Sequence, residues 1–198
     1  MSSKEHTVLL LVGRTGSGKS SLINKICERT ELKQLISYTT RPRRNDTDND
    51  HIFVTIDDYI QAKENGEIAA ETEIAGNYYY STKSQLYEAD FYTVDPQGRA
   101  MLLSMELPNI RFVTVYISCP DDVRMDRAIN RRGDDKQIFR TRDFSERPQF
   151  RKFITEEQWD YSIKNLDFAR TYSVLRWIAT VEGVFKNKED ASNVENSN

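Results

Sequence analysis

Gly13, four residues, then Gly18-Lys19-Ser20 is a spacing that builds a backbone cradle for phosphate. The glycines let the chain curl so that N–H groups of Arg14, Thr15, Gly16 and Ser17 turn toward one anion. Lys19 would reach the outer phosphates, and the Ser20 hydroxyl would take a place on Mg²⁺. A helix starting at Ser20 adds the positive end of its dipole. The set Gly13 to Ser20 predicts a bound nucleoside triphosphate with its magnesium ion.

Such a loop works only between a strand and a helix. Val8–Val12 is an apolar run suited to a buried parallel strand, and Ser20–Thr30 is a helix with Leu22, Ile23 and Ile26 on one side. Further core strands are expected at Asp90–Val94, Arg111–Ser118 and Tyr161–Lys164. Helices are expected at Arg99–Ser104, Asp121–Arg131 and Asp167–Thr180, the last with Ala169, Leu175 and Ile178 inward. Strands alternating with helices imply an α/β fold around a parallel sheet with right-handed crossovers. Residues 37–89 break that rhythm with short strands (His51–Ile56, Glu67–Ile74, Asn77–Ser81), a helix capped by Asp57 and a helix at Lys83–Ala89. They read as a subdomain inserted over the ligand edge of the sheet. Gly133–Glu157 is highly charged and reads as a helical, mobile segment, and residues 186–198 lack periodicity and read as a disordered tail.

The 198 residues suit one domain, and a formal net charge of −3 argues against a nucleic-acid binder. Basic side chains are nonetheless clustered, at Arg41, Arg43 and Arg44 and again from Arg127 to Arg147. Cys27 and Cys119 are too few for a disulfide framework and read as ordinary buried thiols; His6 and His51 are too far apart for a metal site. The absence of a long apolar stretch or a signal-peptide core points to a cytoplasmic protein, with small-molecule nucleotides as partners rather than membrane or nucleic acid. Oligomeric state is not written in these features.

Beyond the loop, Ser37-Tyr38-Thr39-Thr40-Arg41-Pro42-Arg43-Arg44 resembles the guanylate kinase family. The resemblance continues through Asp50-His51-Ile52-Phe53, Gly76-Asn77-Tyr78-Tyr79 with Ser81-Thr82, Asp95-Pro96-Gln97-Gly98, Arg132-Gly133 with Arg142, and Asp160 to Asn165. It implies a P-loop three-layer fold: a core at 5–36, 90–131 and 158–182, an acceptor-binding subdomain at 37–89 and a lid at 132–157. It also implies transfer of the γ-phosphoryl group of MgATP to GMP or dGMP. In those roles Arg41, Arg44 and Tyr79 would hold the acceptor phosphate, with His51 in place of a family tyrosine. Ser37, Ser81 and an acidic side chain would meet the guanine edge. Arg132 and Arg142 from the lid, with Lys19 and Arg41, would stabilise the transferring group. Asp95 either caps the following turn or lies near Mg²⁺ or the acceptor base.

The chain departs from the family at the base-reading carboxylate. Counting back from Gly76 puts Ala70 there, with Glu71 one residue away; Glu71 can serve only if a bulge reverses its direction. Tyr80 stands at a family glycine, and Thr47 stands where the loop's glutamate would be. Three functions are therefore weighed: a guanylate kinase, a kinase of another phosphorylated acceptor such as another nucleotide or ribose 1,5-bisphosphate, and a phosphoprotein-binding module of the same fold. The intact phosphate loop argues against the module.

Overall fold

In the computed structural model Val8, Leu9, Leu10, Leu11 and Val12 are all fully buried, so their strand is covered on both faces. The structure describes residues 5–43, 46, 48–74, 76–131, 133 and 135–185. Arg44, Arg132 and the 186–198 tail lie outside the described residues.

The covered strand, β1 (His6–Val12), is the middle of a five-stranded sheet. Its order is β2 (Gln34–Leu35), β7 (Phe91–Thr93), β1, β8 (Ile110–Ser118) and β9 (Tyr161–Lys164), and every pair is parallel. Side-chain alternation divides the core in two. Leu9 and Leu11 face α1 (Lys19–Cys27) and α7 (Phe168–Val181), where they meet Ile23, Leu175 and Ile178. Val8, Leu10 and Val12 face α4 (Pro96–Leu103) and α6 (Lys136–Thr155), where they meet Leu102, Phe150 and Phe153. The result is a three-layer α/β fold. Ala169 is exposed rather than inward; Thr171 and Ala179 take the buried face of α7 with Leu175 and Ile178.

A second sheet carries the inserted segment, in the order β4 (Ile52–Phe53), β3 (Tyr38–Thr39), β6 (Asn77–Thr82) and β5 (Ile68–Ile74). α2 (Ile56–Glu64) closes one face of it, with Tyr59 and Ala62 against Tyr80. Thr55, not Asp57, caps α2: its hydroxyl accepts from the Asp58 N–H, and the Asp58 carboxylate accepts from the Thr55 N–H in return. α3 (Lys83–Glu88) leads back to β7. The segment expected as one helix from Asp121 to Arg131 is α5 (Asp121–Asp126) followed by a single π-turn, Arg127–Arg131.

α6 is anchored and reaching at once. Phe150 and Phe153 are buried in the core, whereas the part before Pro148 extends over the phosphate loop. Proline has no N–H to give the preceding turn, which weakens the helix between the two halves. Cys27 and Cys119 are half-buried free thiols, and burial pushes the Cys27 thiol up to about 11. Among the described residues no helix is long and apolar enough to cross a membrane.

Candidate active site

Three elements press on the turn between β1 and α1, and its glycines make that possible. A Cβ on Gly13 would sit 2.5 Å from the Ile117 carbonyl oxygen of β8, and one on Gly16 2.6 Å from the Arg124 carbonyl oxygen of α5. Gly16 and Gly18 have φ of 78° and 95°, where side chains are strained. Asn165, just past β9, donates from Nδ2 to the Ser17 carbonyl at 2.8 Å and fixes the far wall of the turn. Lys19 folds back over the loop, Nζ donating to the Gly13 carbonyl and, at 3.5 Å, to that of Arg14. A cavity of about 500 Å³ opens beside Thr15, Lys19, Ser20, Arg127, Asn165 and Phe168. The Arg14 side chain leaves the loop and binds the Asp143 carboxylate at 2.6 Å and Asp121 at 3.2 Å.

A second cavity of about 520 Å³ lies between the inserted sheet, the ends of β7 and α4, and α6. Ser37, His51, Tyr79 and Asp95 line it, with Arg142 and Glu146 contributed by α6. Thr15 lines both cavities, so the two meet at the phosphate loop. At that junction the Glu146 carboxylate accepts from the Thr15 N–H at 2.8 Å. Burial raises the Glu146 carboxyl above the ordinary range, although the Thr15 N–H and the charges of Lys19, Arg124 and Arg14 oppose it. Three residues earlier on α6, Asp143 receives Arg124 at 2.7 Å as well as Arg14. Arg124 is 1% exposed, and it also donates to Asp121 at 2.7 Å and to the Thr15 carbonyl at 2.8 Å.

At the inserted sheet, the Ser37 hydroxyl and His51 Nδ1 lie 2.9 Å apart, and the His51 ring meets Tyr79 edge-on at 5.2 Å. Burial and the nearby Arg41 lower the His51 pKa, which favours the neutral ring. Arg41 is held by Asp48 at 2.9 Å; its Nε and one terminal nitrogen are buried with no hydrogen-bond partner among the described residues. Arg41 is close enough to His51 to act on its charge, but its guanidinium lies over the Phe53 ring and does not line the second cavity.

Glu71 borders the second cavity, but its carboxylate is taken up by α2. The β5–β6 pairing sets Ala70 opposite Ser81, Glu71 opposite Tyr80 and Thr72 opposite Tyr79, and the only irregularity in it falls between Ile68 and Ala70. No bulge reverses Glu71, so it lies on the α2 face with Tyr80, where it accepts from Lys63 and from the Tyr59 hydroxyl at 2.8 Å each. Burial works to raise its pKa, but the Lys63 and Tyr59 hydrogen bonds hold it below the usual range. Ser81 is fully buried beside the Tyr92 hydroxyl, behind the cavity rather than on its wall. Asp95 does cap α4, accepting from the Gly98 N–H at 2.7 Å, and it lines the cavity as well.

Sequence reasoning overlooked four of these groups. Thr72 lines the cavity and shares a strand face with Ala70, a period-two signal that was available. Asp143, Glu146 and Arg124 carried no comparable signal, because a charged helix does not announce which face docks.

A family model for guanylate kinase matches residues 5–181. The chain is 25% identical over 197 residues to a guanylate kinase of Photobacterium profundum, covering 93% of this chain and 92% of that one. It is 27% identical over 195 residues to a guanylate kinase of Myxococcus xanthus, covering 93% and 91%. The crystal structure of a guanylate kinase from Anaplasma phagocytophilum superposes with a TM-score of 0.64 at 23% identity, over 91% of this chain and 87% of that one. Matched along nearly its whole described length, the chain belongs to the guanylate kinase family.

Proposed function

We propose that this protein transfers the γ-phosphoryl group of ATP to the phosphate of GMP or dGMP, giving ADP and GDP or dGDP. The observation that carries this reading is the meeting of two cavities at Thr15, one on the phosphate loop and one on the inserted sheet. A donor and an acceptor phosphate held in them face each other across the loop. An acceptor phosphate oxygen then bonds to the γ-phosphorus as the bond to the β,γ-bridging oxygen breaks, with no covalent enzyme intermediate.

Gly13 to Ser20 hold the triphosphate, and Lys19 swings from the Gly13 carbonyl to its outer phosphates. Arg41, Tyr79 and His51 hold the acceptor phosphate; Arg44, outside the described residues, is assigned the same task. Arg142 and Arg132 balance charge on the transferring group from the lid at 132–157, and 37–89 serves as the acceptor-binding subdomain. The Ser20 hydroxyl opens on the loop cavity, and among the described residues no cluster of three or more His, Cys, Asp or Glu could hold a metal ion. A Mg²⁺ there would be shared between Ser20 and the phosphates, and it supplies neutralisation of phosphate charge.

A second reading is favoured by one observation: with Ala70 at the base-reading position and Glu71 turned to Lys63, another phosphorylated acceptor would fit the same chemistry. A coupled ADP-release assay over nucleoside monophosphates and ribose 1,5-bisphosphate separates the two. Turnover confined to GMP and dGMP is expected; preference for another acceptor selects the second reading. Lys19→Ala is expected to lower kcat on the order of a hundredfold or more. Near-normal turnover in that variant would remove Lys19 from the transfer step.

A further inference from the structure

We infer that Thr72 is the residue through which this chain reads the 2-amino group of a guanine acceptor, as the partner of Asp95. The inference rests on the kinase reading of the second cavity.

Thr72 is half-buried on the cavity wall, and its hydroxyl donates to the Asp95 Oδ2 at 3.0 Å. The other oxygen of Asp95 is fixed by the Gly98 N–H at the start of α4. That pairing settles what the cavity presents. A threonine hydroxyl has one proton, and here the proton is spent on Asp95, so the Thr72 oxygen is left with acceptor lone pairs. Two neighbouring acceptors, one hydroxyl oxygen and one carboxylate, therefore lie side by side on this wall. Guanine offers two adjacent donors, N1–H and the 2-amino group, whereas adenine at the same two positions offers a ring acceptor and a carbon-bound hydrogen. The wall suits guanine and opposes adenine.

The surroundings leave this task to Thr72. Ala70, two residues earlier on the same strand face, has no polar group, and Glu71 is on the opposite face with Lys63. Tyr92, on the floor, is buried against Ser81, and burial pushes its hydroxyl up to about 12, so it stays neutral. Asp95 is thus the carboxylate that Thr72 touches, and Thr72 both orients it and extends it by one acceptor.

The test compares GMP with IMP, which keeps N1–H and lacks the 2-amino group. Calorimetric binding of each nucleotide to wild type, Thr72→Val and Thr72→Ser is measured with the folded protein, beside steady-state kcat and KM. Valine keeps the shape and loses the hydroxyl, so the GMP:IMP affinity ratio is expected to fall by about tenfold. The change should appear in KM more than in kcat, and serine should restore the ratio. An unchanged ratio in Thr72→Val, or a loss that serine does not restore, overturns the assignment. Wild-type protein that binds GMP without transferring phosphate overturns the proposed reaction and leaves this assignment to stand on the binding ratio. Wild-type protein that binds no GMP overturns both.

Discussion

A carboxylate resting on a phosphate loop is an anion in an anion's place. Glu146 accepts from the Thr15 N–H where the two cavities meet, so a triphosphate arriving there meets a like charge. Glu146→Gln keeps an acceptor for Thr15 and removes that charge. It is expected to tighten ATP binding by about tenfold, equivalent to about 1.4 kcal/mol; equal affinities in a nucleotide titration would show that Glu146 does not compete. The same residue gives a pH signature. Its folded-state pKa is raised, so its contribution to stability is present in full below the ordinary glutamate range and is lost as pH rises through the raised value. Urea midpoints of the glutamine variant should therefore gain on wild type as pH rises; a constant difference would contradict the burial argument. At this scale the sequence was legible where residue type dictates backbone, as at Gly16 and Gly18. It was illegible where a partner decides. Strand parity placed Ala70 and Thr72 together, but only Lys63 and Tyr59 show that Glu71 is committed elsewhere.

Between elements, a single buried charge ties the phosphate loop to α5 and α6. Arg124 reaches Thr15, Asp121 and Asp143 from within the protein. Removing it leaves Asp143 with Arg14 and the more exposed Arg147, and leaves the Thr15 carbonyl without its donor. Arg124→Ala is expected to cost about 3 kcal/mol in urea unfolding, because a buried carboxylate then loses a principal counter-charge. A loss well under about 1 kcal/mol would mean that Arg14 and Arg147 suffice. Strands with continuous apolar runs were readable in the sequence, and β8 and β9 fall where expected within a residue. The short segment at 35–40 was not. Leu35 pairs in the parallel sheet and Tyr38 in the inserted one, a division set by distant partners, Tyr92 and Tyr80.

The whole molecule is a firm sheet with a helix, α6, whose second half packs in the core and whose first half is tied to the phosphate loop and α5. The three-layer core follows from buried strands alternating with amphipathic helices, which is why its architecture could be read from one chain. How α6 is shared between core and site could not be read that way, because Phe150 and Phe153 look no different in sequence from Phe144, which is 75% exposed. Just beyond the anchored end of α6, Trp159 packs its indole against Tyr116 at 4.9 Å and Phe153 at 5.4 Å. The other tryptophan, Trp177, is 58% exposed on α7. The chain thus carries a built-in optical gauge: one indole at the root of the helix that reaches over the phosphate loop, and one in solvent that iodide can silence. With Trp177 replaced by Phe, emission should shift when ATP displaces Glu146 and α6 moves. A spectrum indifferent to nucleotide would mean that the helix stays where it is and the phosphates enter around it.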